Sequence, residues 1–198
     1  MTFEDLKSTF PDATLETWHP HSNGGGWVQN TATVTNSAYV GPDAIVSGSA
    51  RVYEEARILD HARVYGNAVV WGDAWVYESA VVCENAQVGE KAHIFEHAGV
   101  SGDARVEGRS RVLGNAQVSG FAWVYGISFV CGSSQVMDNA RVFDNAIVSG
   151  TSWVYEDAQV CGDAEIFENA RIYGSAVVSG KAQISGHTKV AWNESGNE

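Results

Sequence analysis

One property constrains this chain more than any other: from Gly26 to Val190 an aliphatic residue returns at every sixth position without a slip. The series runs Val28, Val34, Val40, Val46, Val52, Ile58, Val64 and onward to Ile184 and Val190, and all 28 positions are Val or Ile. Two residues before each stands a small side chain. It is Ala in most units, Gly26 at the start, Ser110, Ser128, Ser134 and Ser152 in the middle, and Thr188 at the end. A helix needs apolar residues at spacings of three and four, so a period of six with alternation inside each unit predicts a short strand followed by a corner. The corner pair is usually Gly, Glu or Asp followed by Asn, Asp or Ser, as in Gly66-Asn67, Gly72-Asp73 and Glu84-Asn85. These residues tolerate the left-handed backbone that β-branched side chains avoid.

The unit, small-x-aliphatic-x-turn-turn, resembles the repeat of the hexapeptide-repeat superfamily over residues 26–190. That resemblance implies an all-β fold, a left-handed parallel β-helix with three strands to each triangular coil. At three units per coil the repeat makes about nine coils and a prism roughly 45 Å long. The chain then divides into an N-terminal cap over residues 1–25, the β-helix over 26–190 and a C-terminal tail over 191–198. In the cap, Thr2 and Asp5 have capping-box spacing ahead of Phe3, Leu6 and Phe10, which predicts a short helix covering the open end of the first coil. The residues after Val190 are too few for a second lid, and Lys181, His187 and Lys189 are expected to blunt that edge by charge.

Charge narrows the range of partners. Asp and Glu number 24 against 12 Lys and Arg, a net charge of −12, which favours solubility and disfavours nonspecific attraction to nucleic acid or anionic membrane. No stretch approaches the roughly 20 apolar residues of a bilayer span, and MTFEDLKSTF lacks the order of a signal peptide, so a cytoplasmic protein is expected. Cys83, Cys131 and Cys161 fall on three different faces, too far apart to pair, and are expected as free thiols. The acidic residues gather at corners, among them Glu54, Asp60, Glu78, Glu84, Glu90, Asp138 and Glu168, and read as solvated turn residues. An acidic rod imitating nucleic acid is the alternative, weakened by interleaved Arg51, Arg57, Arg63, Arg105, Arg111, Arg141 and Arg171.

With 18 residues to a coil, outward positions 18 apart form columns on three flat faces. The third face carries Tyr39, Leu59, Trp75, Tyr77, Phe95, Leu113, Phe129, Ile147 and Phe167, a large apolar residue on each of eight successive coils. The first face is interrupted at Gly99, Ser101, Gln117 and Ser119, and the second at Gln87, Gly89, Arg105 and Glu107. A stripe this long exceeds what monomers usually leave in water, so the third face is the expected interface. Simple packing of rings on their strand neighbours is the competing account.

Superfamily acyltransferases use a His general base beside a cleft between subunits, with a CoA or carrier-protein thioester as donor. The histidines here are His19 and His21 before the repeat, outward His93, and His61, His97 and His187 in one corner column. The gamma-class carbonic anhydrases, also similar in repeat, bind zinc through three histidines, but His93 and His97 are four apart where that pattern has five. Thr31, Thr33 and Thr35 are too short a rank for ice binding. No catalytic, metal or cofactor residue is therefore assigned. The chain also resembles uncharacterised loop-free members of the superfamily from bacteria and phages. The expected function is a non-enzymatic binding or scaffold protein, a homo-oligomeric trimer or dimer that captures another macromolecule, such as a host protein blocked by a phage-type inhibitor or decoy. A trimeric acyltransferase and an acidic nucleic-acid mimic are the alternatives.

Overall fold

A computed structural model describes residues 1–192. Each unit of the repeat becomes a short strand, usually just the aliphatic position and the residue before it, as in Trp75–Val76, Val81–Val82 and Gln87–Val88. Successive strands enter three different sheets, and each pairs in parallel with the strand 18 residues on, Trp75 with His93 and Val82 with Val100. The first sheet has eleven strands, opening with β1 (Trp18–Pro20) and β2 (Trp27–Gln29) and ending at Lys189–Trp192. The second has nine, from Thr33–Val34 to Val177–Val178, and the third nine, from Tyr39–Val40 to Gln183–Ile184. The protein is thus an almost all-β parallel solenoid of about nine turns with one short helix among the described residues.

The inside-outside assignment read from the period holds throughout. Every aliphatic position from Val40 to Ile172 is fully buried, and the Ala columns beside them are equally closed. Where Ser replaces Ala, the hydroxyl is satisfied within its own corner: Ser110 Oγ donates to the Glu107 carbonyl at 2.6 Å and Ser128 Oγ to Tyr125 at 2.9 Å. That removes the penalty of a buried polar group left without a partner. At the far end the last coil is more open, with Ala182, Ile184 and Val190 only partly buried.

The corners require a left-handed residue at their first position, and the chain supplies it in two ways. Some corners use Gly, such as Gly66 at φ 74°, and others use Glu or Asp, such as Glu84 at φ 60°. The acids are not simply solvated turn residues. The Glu84 carboxylate accepts the backbone N–H of Gly102 in the next coil at 2.6 Å; Glu54 does so from Gly72 at 2.9 Å, Glu90 from Gly108 at 3.0 Å and Glu168 from Gly186 at 2.7 Å. An unfavourable backbone region is thereby offset by a charge-assisted hydrogen bond. The second corner position adds side-chain ladders, Asn67 donating to Asn85 and Asn85 to Asp103.

The first residues behave as a cap, though not at the open end alone. α1 (Phe3–Thr9) carries the expected reciprocal capping box between Thr2 and Asp5. β1 pairs antiparallel with β2 and so covers the free edge of the first sheet. Leu6, Ala13 and Trp18 then pack onto Trp27 and Ile45, outward residues of the first face that are left only 7% and 1% exposed. At the other terminus, Ala191 and Trp192 prolong the last strand of the first sheet beside Tyr173 and Gly174. The remainder of the expected tail, 193–198, lies outside the described residues. No helix among the described residues is long and apolar enough to cross a membrane.

Candidate functional site

Two outward columns make up the third face, because period-two alternation in each strand exposes the residues on either side of the buried aliphatic. The first column runs Tyr39, Arg57, Trp75, His93, Arg111, Phe129, Ile147 and Glu165; the second runs Gly41, Leu59, Tyr77, Phe95, Leu113, Cys131, Ser149 and Phe167. All nine expected interface residues, Tyr39, Leu59, Trp75, Tyr77, Phe95, Leu113, Phe129, Ile147 and Phe167, therefore stand on one sheet and are half-buried. They do not form one straight stripe. Leu59, Tyr77, Phe95 and Leu113 are consecutive in the second column, whereas the apolar residues of the first are interrupted by Arg57, His93 and Arg111.

The rings at the centre of the face find adjacent partners. Tyr77 stacks on Phe95 with centroids 4.8 Å apart and planes 5° from parallel. Trp75 stacks on His93 at 5.4 Å, and its edge meets Tyr77 at 6.3 Å. The Arg57 guanidinium lies over Trp75 at 5.2 Å and that of Arg111 over Phe129 at 5.4 Å. Burial and the neighbouring Arg111 hold the His93 imidazole below its ordinary value, so it is neutral at pH 7. Burial likewise raises the Tyr77 phenol and the Cys131 thiol, which keeps both uncharged. His93, Arg57 and Arg111 are the members of this cluster that an apolar reading of the face passed over.

From Tyr39 to Ser149 the face holds no carboxylate at any outward position, in a chain whose net charge is −12. Acids occupy its two rims instead: Asp60, Glu78 and Glu96 on one corner, Glu54, Asp73 and Glu90 on the other. The corner histidines His61 and His97 are exposed and act as turn residues, donating their backbone N–H groups to the carbonyls of Glu78 and Gly114 at 2.8 and 2.9 Å. No three His, Cys, Asp or Glu side chains among the described residues stand close enough together to hold a metal ion. Cys83, Cys131 and Cys161 are free and half-buried, one on each sheet.

Trp75-Val76-Tyr77 has counterparts on the other faces, Trp123-Val124-Tyr125 on the second and Trp153-Val154-Tyr155 on the first. In all three the Tyr stacks on an aromatic residue one coil later, Phe95, Phe143 or Tyr173. A family model described as the YdcK beta solenoid repeat matches residues 62–78 and 140–156, and each match ends in Trp-Val-Tyr-Glu. The chain is a β-solenoid repeat protein. Its similarity to the YdcK repeat covers these two segments, one closing on the third face and one on the first. No curated protein matches the chain. The Trp-x-Tyr cluster is accordingly a recurring element of this solenoid; the first face also lacks outward carboxylates, and what separates the third face from the other two is a large apolar residue on every coil from Tyr39 to Phe167.

Proposed function

We propose that the protein is a non-enzymatic scaffold, a rigid solenoid that associates with copies of itself through the third face. The observation that carries this reading is the unbroken series of large apolar residues on that face, with rings and arginines at its centre and, short of Glu165 near one end, acids only along the rims. Interface cores are enriched in aromatic residues and Arg and depleted of Asp and Glu in the same way. A flat prism surface also suits a symmetric pairing of like with like, whether as a dimer or in a closed ring. Corner acids engaged with backbone amides one coil on speak against a nucleic-acid mimic, since their placement serves the coil's own hydrogen bonding. No match ties the surface to a phage or to a host target. Sedimentation velocity of the intact chain at micromolar concentration is the test, and an oligomer is expected. A monomer across the micromolar range would remove the proposal.

A further inference from the structure

The second face carries a different surface, independent of the self-association argued above. Its corner column reads Asn67, Asn85, Asp103, Phe121, Asn139 and Asp157, so one apolar ring interrupts a polar ladder. The ladder bonds run from Asn67 through Asn85 to Asp103 and resume from Asn139 to Asp157 at 3.0 Å. Phe121 is 67% exposed, which costs free energy and gives the coil nothing in return. Residues that break a local rule without an internal gain point to a site.

Beside Phe121 lies a groove of about 540 Å³ that crosses four coils and is lined also by Trp123, Arg105, Arg141, Asp103, Asn139 and Asp157. Trp123 is fixed in place: its indole N–H donates to Glu107 at 3.1 Å, and its ring leans on Tyr125 at 4.5 Å. With that polar handle already used, the ring offers the groove only an apolar surface. Arg105 and Arg141 flank Trp123 in register on either side. The described ion pairs are Met1 with Asp43 and Lys91 with Asp73, so neither guanidinium of the groove is paired with its neighbouring acids.

We propose that this groove binds a neutral oligosaccharide. Two arginines against two aspartates leave the lining without net charge, which selects an uncharged ligand over an anion or a cation. Arginine donors run along one side of it and Asp103, Asn139 and Asp157 along the other, and a ligand that satisfies both carries many hydroxyls. Two rings line the groove, Trp123 held rigid and Phe121 exposed at the corner, and either offers an apolar surface on which the C–H face of a sugar stacks. Nucleic-acid bases would stack as well, but with Asp103 and Asp157 matching Arg105 and Arg141 the groove offers their phosphates no net attraction. The groove spans three coil spacings, about 14 Å, the length of a short oligosaccharide rather than of a single sugar.

The test is isothermal titration of the full chain with maltotriose, cellotriose, mannotriose and chitotriose, repeated with Phe121→Asn. That variant restores the residue type its corner column prefers, so its fold and melting temperature are expected to be kept. Binding of at least one trisaccharide, weakened about tenfold or more in Phe121→Asn, is the expected result. Absence of binding to all four would overturn the proposal. Equal binding by the folded variant, or binding confined to a sulfated oligosaccharide run in parallel, would overturn it too.

Discussion

The Trp71 indole occupies the space above Gly89, its neighbour one coil on, so closely that a Cβ at position 89 would lie 2.1 Å from Trp71 Cε2. Gly89 is not in the left-handed region, and its lack of a side chain serves the ring alone. Gly89→Ala should therefore destabilise the coil by about 1–3 kcal/mol through overpacking. In a Trp71→Ala background the same change should be close to neutral. Urea denaturation of the four proteins in this cycle measures the coupling, and additive effects would show that ring and glycine do not compete for space.

The corner acids predict an order of stability. Glu84→Ala loses the hydrogen bond to Gly102 and keeps the left-handed strain at φ 60°, whereas Glu84→Gly loses the bond but relieves the strain. Ala should be the worse replacement by about 1 kcal/mol. Equal midpoints in denaturant would mean that the backbone at this corner relaxes without cost.

Val100 is fully buried in the column of aliphatic side chains. Val100→Asp places a carboxylate there with no partner, and a loss of about 3 kcal/mol or more is expected even after its pKa rises. Gln117→Asp, outward and exposed, should stay within about 0.5 kcal/mol. Thermal unfolding followed by circular dichroism separates the two, and an unchanged Val100→Asp midpoint would refute the inward register.

His93 gives a pH dependence with a definite sign. Burial first, then Arg111, depress its folded-state value below the ordinary 6.5, so the unfolded chain binds the proton at a higher pH than the folded one. Stability from this group is complete above 6.5 and is lost as pH falls through the folded value. The side chains facing it, Trp75, Tyr77 and Arg111, bring no negative charge to reverse that sign. His93→Gln should flatten the fall in stability between about pH 7 and about pH 5. A slope identical to wild type would assign the acid sensitivity to other groups.

Charge at the centre of the third face should separate subunits and spare the coil. Trp75→Glu combined with Phe95→Lys is expected to weaken association by about 2 kcal/mol or more while the buried Val and Ala columns stay untouched. Sedimentation and circular dichroism together report both outcomes. A folded variant with an unchanged oligomer would move the interface to another face.

Much of this architecture was legible because one period encodes two things at once, the inward residue and the partner strand. Val82 and Val100 are paired in space for the reason that they are equivalent in the repeat. The Thr2–Asp5 capping box was legible for a similarly local reason. Trp27 and Ile45 were not: as outward apolar residues they looked like open face, and only the path of α1 and β1 shows them covered. Glu84 and its counterparts were misjudged because a carboxylate's reach to an amide one coil away depends on side-chain conformation, which spacing does not reveal. The signal available was that acids alternate with Gly at one corner position. Phe121 could have been found by reading corner columns at 18-residue intervals, as the faces were read.

Because every strand answers to the one 18 residues before it and the one 18 after, the length of this molecule is a count rather than a continuous quantity. Removing or adding any number of residues other than a whole coil would turn every later side chain onto a different face or rotate it out of the core. Removing or adding a full coil would leave each neighbour relation intact and change only the reach of the prism, by about 4.8 Å. The chain is in that sense a ruler with fixed graduations, and its lineage can grow or shrink in single steps without redesigning what lies on either side.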